Sequence, residues 1–219
     1  MSALGPSPSA KPADAGSAVG MREQLRSFKR ERILEVAGRL FYERGYHGTS
    51  LDALAERLGV SKPFIYAHYR NKTELLIEIY TRVVQLSLDC VAAARAEGGT
   101  PVAQIVAFSR RFADLTVREQ AVVAVFFQEV SSIPAEHVTA INRLKKSFDD
   151  ALTALIKDGI TAGAFDVGDA RMAALAMTGM ISWIYTWYRS SGRLKPDELC
   201  GVMADYALRI VGGHGVDKE

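Results

Sequence analysis

Apolar residues recur at intervals of three and four along almost the whole chain from Met21 onwards. Residues 26–44 are an example, because their apolar positions fall on one face of a helix that Gly45 ends. This stripe consists of Ile33, Leu34, Ala37, Leu40 and Phe41. No segment alternates between apolar and polar residues over the length of a strand. The pattern therefore predicts an all-α protein of about nine helices.

Two short helices are predicted after this first one. Ser50 is a suitable N-cap for the earlier helix, which has an apolar inner face and closes at Gly59. Ser61 is a suitable N-cap for the later helix, and Pro63 lies in its first turn, where no helical N–H is lost. The N-terminal third is thus predicted to be a three-helix unit.

Longer helices are predicted in the rest of the chain. Asn71 and Glu74 form a start similar to a capping box for a helix that runs to about Arg95. Proline and glycine then divide the sequence into five further helices, predicted over 101–115, 118–131, 134–162, 169–190 and 197–211. We expect four regions: a disordered tail over 1–20, a helix-turn-helix domain over 21–70, a helical ligand-binding and dimerisation domain over 71–213, and a tail over 214–219.

The composition argues against several classes of protein. No apolar run approaches the ~20 residues of a membrane span, and residues 1–20 lack the apolar core of a signal peptide. Cys90 and Cys200 lie far apart in sequence, so neither a disulfide framework nor a zinc site is predicted. This usage fits a reducing compartment, and we expect the protein in the cytoplasm.

Basic residues are concentrated towards the N-terminus. Residues 21–74 contain eleven Lys and Arg against seven Asp and Glu, whereas the whole chain has a net charge of only +2. The remainder is therefore slightly acidic. This distribution is typical of a DNA-binding head joined to a sensor body.

A small all-helical enzyme is the rival class, and the sequence offers it little. The four histidines form no HExxH or similar pair: His47, His68, His137 and His214. Glu129 and the neighbouring Asp149 and Asp150 are expected to be solvated helix charges. We therefore predict no enzyme activity, no cofactor and no metal.

The layout of a helix-turn-helix surrounds residues 59–61. Gly59 supplies the left-handed conformation that tightens the turn. Val60, Ile65 and Tyr69 have the spacing to pack inward. The outer side of the second helix carries residues without a folding role: Ser61, Lys62, Phe64, Tyr66 and His68. Such a row is explained if the helix lies in the major groove of DNA.

Residues 28–76 resemble the N-terminal signature of the TetR family of one-component regulators. The matching positions are Phe41, Gly45-Tyr46, Thr49-Ser50, Leu54-Ala55, Gly59-Val60-Ser61-Lys62, Ile65-Tyr66, His68-Tyr69, Asn71-Lys72 and Glu74-Leu75-Leu76. Tyr69 stands where the family more often has Phe, and its hydroxyl is expected to find a partner. The resemblance implies a dimer, in most members a repressor, that binds double-stranded operator DNA and a small-molecule effector.

The resemblance also implies DNA-binding roles for matched residues. The set is Thr49, Ser50, Ser61, Lys62, Pro63, Phe64, Tyr66, His68 and Lys72. Thr49 and Ser50 would donate to a phosphate at a helix N-terminus. The DNA backbone would also be held by Tyr66, His68 and Lys72. Taken singly, Tyr66 and His68 could instead be ordinary surface residues.

Base contacts would come from the start of the second helix, over residues 61–64. Lys62 is suited to guanine and Phe64 to a thymine methyl group. A basic run precedes the first core positions, at Arg22, Arg26, Lys29 and Arg30. It is either an arm along the DNA backbone, which we favour, or a solvated helix start.

The C-terminal half carries large apolar side chains that could surround one cavity. The candidate ligand-binding residues are Phe108, Arg111, Phe112, Phe126, Phe127, Met177, Met180, Trp183, Trp187 and Arg189. The alternative for any single aromatic residue is a solid core. A module that only bridges DNA would have no cavity in residues 100–190. Cationic drugs as ligands would require a buried carboxylate, such as Asp114 or Glu129, beside aromatic rings.

Residues 181–199 resemble the Trp-Tyr-Arg…Gly…Leu…Pro…Glu-Leu pattern of one TetR branch. That branch controls fatty-acid, aromatic-acid or steroid-ring catabolism and responds to CoA thioesters. The resemblance implies that Arg189, with Arg110 or Arg111, contacts the CoA phosphates. The acyl portion would lie against Trp183, Trp187 and Phe112.

A homodimer is expected, because two recognition helices must enter major grooves about 34–36 Å apart. The predicted interface is formed by the last two long helices. Their apolar faces are Ala170, Ala173, Ala174, Met177 and Ile181 on one helix, and Val202, Tyr206 and Ile210 on the other. Burial inside a single subunit is the alternative.

Overall fold

A computed structural model describes residues 15–213, and all regular structure in this range is helical. The helices are α1 (Ala15–Arg44), α2 (Leu51–Leu58), α3 (Lys62–Tyr66), α4 (Lys72–Ala96), α5 (Pro101–Arg118), α6 (Gln120–Gln128), α7 (Ala135–Thr161), α8 (Ala170–Ser182), α9 (Ile184–Trp187) and α10 (Pro196–Ile210). A short 3-10 helix, Val130–Ser132, separates α6 from α7. The prediction of an all-α protein with an N-terminal three-helix unit is confirmed.

The first helix begins earlier than predicted. The backbone of residues 15–20 is helical, where we predicted a disordered tail. This segment contains no proline, and each glycine within a helix costs only about 1 kcal/mol relative to alanine. The other predicted tail residues, 1–14 and 214–219, lie outside the described residues.

The helix predicted over 169–190 is divided at Trp183. The Thr186 N–H donates to the Trp183 carbonyl at 3.1 Å, a tighter step than the α-helical bond. The neighbouring residues Ile184 and Tyr185 are both buried. The tightened turn therefore separates α8 from the short helix α9, whose first two residues are these buried ones.

Two large hydrophobic clusters organise the chain. The first joins α1, α2 and α3 to the beginning of α4, and it also receives Val122 and Val125 from α6. The second lies among α4, α5, α7, α8 and α10. The division predicted at residue 70 remains a prediction, but the core of the DNA-binding head extends beyond it into α4 and α6.

Close packing and ion pairs connect α1 to the body. A Cβ atom at Gly38 would lie 2.6 Å from Cγ2 of Val122, so glycine allows α1 to approach α6. Arg82 of α4 pairs with Glu31 of α1 at 2.9 Å and with Glu119 at 3.6 Å. The head is thus held simultaneously by α4 and α6.

Two further properties concern residues 15–213. None of the helices in this range combines the length and apolar character needed to cross a membrane. In the same range, no three His, Cys, Asp or Glu side chains are grouped so that they could hold a metal ion.

Candidate DNA-binding and ligand-binding sites

Local capping positions the short helices of the head. The Ser50 hydroxyl accepts the Ala53 N–H at 3.1 Å and so caps α2. Gly59 ends α2 with φ 66°, and its N–H is directed to the carbonyls of Ala55 and Glu56. Ser61 precedes α3, and its exposed side chain makes no capping bond. The hydroxyl of Ser61 is therefore available to a phosphate or a base.

The inner side of α3 follows the prediction, with one exception. Ile65 and Tyr69 are buried, and Val60 packs against the same cluster. The Tyr69 hydroxyl, however, has no hydrogen-bond partner in the described part of the chain, contrary to the expectation. The nearby guanidinium of Arg30 lies over the ring, 5.0 Å from its centroid, rather than at the hydroxyl. Burial raises the pKa of Tyr69, which therefore stays protonated.

On the outer side of α3, an acidic residue that the sequence did not single out holds two predicted DNA contacts. Oδ2 of Asp52 lies 2.5 Å from Nζ of Lys62, and the Tyr66 hydroxyl donates to Oδ1 at 3.5 Å. Hydrogen bonding to Asp52 raises the pKa of Lys62. Tyr66 is 51% exposed. Asp52 thus orients a cation and a hydroxyl on the exposed face while cancelling one positive charge.

Phe64 and His68 are less exposed than predicted. Their rings meet edge to face with centroids 5.1 Å apart, and Nζ of Lys29 lies 5.7 Å from the centre of Phe64. Burial, together with the charge of Arg30, lowers the pKa of His68. In the protein without DNA, these surroundings favour the neutral form of His68. Pro63, by contrast, is exposed in the first turn of α3.

Two residues predicted to contact phosphates form hydrogen bonds within the head. Thr49 is buried, and its hydroxyl donates to the carbonyl of Gly45 at 2.9 Å, so it is not available to DNA. Nζ of Lys72 donates to the carbonyls of Tyr46, His47 and Thr49 at 2.8, 3.1 and 3.0 Å. A lysine ammonium has three donors, and these contacts use all of them. Lys72 therefore fixes the loop before α2.

The basic run in α1 does not act as a single arm. Arg30 forms an ion pair with Glu78 of α4 and so joins the head to the connector helix. Lys29 lies beside Phe64, close to α3. Arg26 is exposed, and the side chain of Arg22 lies outside the described residues. Of the described members, Arg26 and Lys29 are exposed and not paired with a described carboxylate, so the predicted contact with DNA concerns these two.

The body contains a cavity of about 370 Å³ with a largely apolar lining. It lies among α4, α5, α6, α7 and α8. The lining residues are Val83, Val84, Ser87, Phe112, Leu115, Thr116, Val123, Phe126, Phe127, Lys145, Phe148, Asp149, Leu175, Thr178, Gly179 and Ser182. The volume falls within the range of small-molecule sites in proteins.

The predicted ligand-binding residues are only partly brought together. Phe112, Phe126 and Phe127 line the cavity. Phe108 and Met177 are fully buried in the core behind it. Three others are not among the lining residues: Met180 on α8, Trp183 between α8 and α9, and Trp187 at the end of α9. The helical period did not distinguish the positions that face the cavity from those that face the core or the surface.

The predicted arginines also lie away from the cavity. Arg111 forms an ion pair with Glu97 at the end of α4. Nη1 of Arg189 donates to the carbonyls of Thr186 and Tyr188 at 3.3 and 2.8 Å. Both guanidinium groups are thus engaged by neighbouring groups rather than directed at the cavity.

Sequence reasoning missed two charged residues of the lining. Nζ of Lys145 lies 5.7 Å from the centre of the Phe126 ring. Asp149, which we expected to be a solvated charge, is half-buried, and burial raises its pKa. Their spacing of four residues, with buried Phe148 between them, is the signal that both lie on the side of α7 that borders the cavity. Glu129 is likewise engaged, because its carboxylate accepts the N–H of Tyr46 at 3.3 Å.

The exposed face of α8 differs from the predicted dimer interface. The predicted residues Ala170, Ala173, Ala174, Met177 and Ile181 are all buried within the subunit. A different apolar stripe faces outward, comprising Met172, Leu175, Gly179, Trp183 and Trp187. On α10, Tyr206 is exposed as predicted, while Val202 and Ile210 are half-buried. The small residues serve packing of α8 onto its own core.

Comparisons with known proteins cover both halves of the chain. Residues 33–79 match the family described as "Bacterial regulatory proteins, tetR family". Residues 98–211 match "Tetracyclin repressor-like, C-terminal domain". The uncharacterized HTH-type transcriptional regulator YhgD of Bacillus subtilis is 27% identical over 83% of this chain and 95% of its own length.

Solved structures agree in fold. A bacterial regulatory protein of the tetR family from Rhodococcus RHA1 has a TM-score of 0.76 at 26% identity, over 84% of this chain and 97% of that one. AibR in complex with isovaleryl coenzyme A and operator DNA has a TM-score of 0.71 at 27% identity, over 84% of this chain and 99% of that one. These relatives are regulators rather than enzymes. The chain therefore belongs to the TetR family and is a DNA-binding transcriptional regulator.

Proposed function

We propose that the protein is a homodimeric repressor that binds operator DNA in the cytoplasm and is released by a small apolar effector. The observation that carries this proposal is the apolar cavity of about 370 Å³, whose walls include the two helices that hold the DNA-binding head. A module that only bridges DNA has no use for such a cavity. For the effector we propose a CoA thioester.

Helix α6 is positioned to transmit the binding event. Val122 and Val125 belong to the core of the head, whereas Val123, Phe126 and Phe127 line the cavity. A ligand that displaces the cavity face of α6 must therefore also move its head face. Val122 packs closely against Gly38, so a displacement of α6 also displaces α1.

Helix α4 provides a second connection. Val83 and Val84 line the cavity, and Leu76 lies two turns earlier in the core of the head. A small rotation of α4 changes the separation of the two recognition helices in a dimer. An effector that prefers the DNA-incompetent state by ~100-fold shifts the equilibrium by about 2.7 kcal/mol per site. By reciprocity, operator DNA weakens effector binding by the same factor.

Two observations support a CoA thioester over other small molecules. AibR, a relative of similar length, binds isovaleryl coenzyme A. The cavity offers apolar walls for an acyl group, with Lys145 in its lining for the anionic remainder of the ligand. Arg111 and Arg189 are not assigned to the ligand, because both are engaged by other groups of the protein. Cationic drugs are the second candidate class, and Asp149 is the lining carboxylate that would bind them.

The DNA interface can be tested by separating backbone contacts from base contacts. We expect Tyr66→Phe to weaken binding to all duplexes, because it removes a phosphate donor. Lys62→Ala is expected to cost about 1–3 kcal/mol at one base pair and to relax the preference there. Fluorescence anisotropy over a panel of operator variants and salt concentrations measures both effects.

Lys157→Ala is the matched control, because Lys157 is an exposed lysine on α7 in the body. It should leave operator affinity unchanged. If Lys62→Ala and Tyr66→Phe together bind the operator as the wild type does, α3 is not the recognition helix.

The effector class can be tested on the assembled operator complex. We expect isovaleryl-CoA or a longer acyl-CoA to release the DNA at micromolar concentration, whereas free CoA and the free acids do not. Thr178→Phe, which fills the cavity, should abolish release without weakening operator binding. Release by free acids or cationic dyes, with no response to any thioester, would reject the CoA assignment but retain the repressor.

A further inference from the structure

The cavity opens on the same face of the body that carries the exposed apolar stripe. Leu175 and Gly179 line the cavity and are also exposed on the outer face of α8. Trp183 continues this face one turn later and is 57% exposed. The mouth of the cavity and the unpartnered face of α8 are therefore one surface.

Gly179 indicates what covers this surface. A Cβ atom added at Gly179 would meet nothing within 4 Å, so the subunit itself gives no steric reason for glycine. Glycine within a helix costs about 1 kcal/mol relative to alanine. Close approach of a second helix supplies the missing reason, because it needs a position without a side chain.

Aromatic side chains connect Trp183 to the cavity lining. Trp183 meets Tyr185 edge to face at 5.6 Å, and Tyr185 stacks on Phe127 at 5.5 Å with ring planes 3° apart. Phe127 in turn meets Phe126 at 5.2 Å. Within one subunit, Trp183 is thus connected to the lining residue Phe127 through Tyr185, and its own side chain is exposed.

We propose that each ligand cavity is closed by a side chain of the other subunit, namely Trp183 of the partner subunit. In a two-fold dimer, a contact of residue i with residue j is repeated as a contact of j with i. If two copies of α8 cross antiparallel at Gly179, residues equally distant from it on either side face each other. Leu175 and Trp183 each lie four residues from Gly179, so Trp183 of the partner subunit lies over Leu175 at the mouth.

This inference rests on the proposed dimer and on the proposed use of the cavity. Neither ligand cavity of the dimer is complete in an isolated subunit. The indole covers the apolar ligand and shields it from water, so ligand affinity depends on dimer packing. Because the contact of the indole at the cavity mouth contributes to both dimerisation and ligand binding, a bound ligand also stabilises the dimer.

The predicted register can be tested by disulfide crosslinking of Leu175→Cys/Trp183→Cys. Within one subunit the two positions are separated by eight helical residues, roughly 12 Å, which exceeds the reach of a disulfide. We expect a covalent dimer on a non-reducing gel, and none from either single variant. Leu175→Cys/Trp187→Cys, with the second cysteine four residues further along the chain at the end of α9, is the register control. Equal crosslinking of the control, or none in the test pair, would overturn the proposed crossing.

Ligand binding in trans can be tested with 8-anilinonaphthalene-1-sulfonate, an apolar fluorescent anion, as the probe. Trp183→Ala homodimers should bind it at least about tenfold more weakly than the wild type. Trp187→Ala is the matched control and should bind it normally. Sedimentation at the assay concentration establishes that each variant is still a dimer.

The decisive sample is a heterodimer of one Thr178→Phe subunit and one Trp183→Ala subunit, purified with two different tags. The open cavity belongs to the Trp183→Ala subunit. This cavity faces the Thr178→Phe subunit, which retains the indole of Trp183. We expect one site per dimer with wild-type affinity. Closure by the partner is refuted if the heterodimer binds as weakly as the Trp183→Ala homodimer. It is also refuted if the Trp183→Ala homodimer itself binds with normal affinity. Undiminished binding by the Thr178→Phe homodimer would instead refute the proposed function of the cavity, and this inference with it.

Discussion

Gly179→Arg is expected to split the dimer and weaken operator binding at least about 100-fold, while leaving the subunit folded. Glycine is replaced by a better helix former at an exposed position, so the subunit should gain about 1 kcal/mol of helix stability. In the dimer, the two arginines would meet at the crossing point as bulky like charges. A monomer engages one half-site, and the second half-site no longer contributes to affinity.

Sedimentation velocity and operator anisotropy measure the two consequences, and thermal unfolding checks the fold. Ala140→Arg is the matched control, because Ala140 is an exposed small residue on α7. A charge at Ile181 would be a poorer test: that residue is fully buried in its own subunit, and an ion there would unfold the chain. A wild-type protein that sediments as a monomer at micromolar concentration would contradict the dimer itself.

The sequence was most informative where local chemistry decides the structure. Ser50, Gly59 and Asn71 occupy cap positions whose function depends on their own side chain or backbone, and all three were predicted correctly. The helical character of the body and the starts of α5, α7 and α10 also follow from Pro, Gly and the 3.6-residue period. Such features need only neighbours within a few residues.

Contacts between residues that are distant in sequence could not be predicted. The three carbonyl groups that Lys72 binds lie 23–26 residues earlier in the chain. Asp52 was overlooked because its partners are 10 and 14 residues away. On α8, the period identified two candidate apolar faces but did not indicate which of them meets the core. That choice depends on α7 and α10, which pack against α8 from remote parts of the sequence.

Lys72→Met is expected to lower both the thermal stability of the free protein and its affinity for operator DNA. Three carbonyl groups of the loop over residues 46–49 would lose a charged donor, which costs about 1–3 kcal/mol. For a chain of this size, each kcal/mol lowers Tm by roughly 2–4 °C. The loop leads directly into Ser50 and the start of α2, so its loosening also disturbs the surface presented to DNA.

Lys62→Met is the comparison that distinguishes a lysine that binds DNA from a lysine that stabilises the fold of the head. Lys62 is exposed and its ion pair with Asp52 contributes little to stability, so this variant should bind operator more weakly with an unchanged Tm. Differential scanning fluorimetry without DNA then distinguishes the explanations for Lys72. If Lys72→Met lowers operator affinity but leaves Tm at the wild-type value, Lys72 acts on phosphates after all. A fall in Tm of several degrees in the absence of DNA can come only from the loop, because the phosphate contact does not exist in that sample.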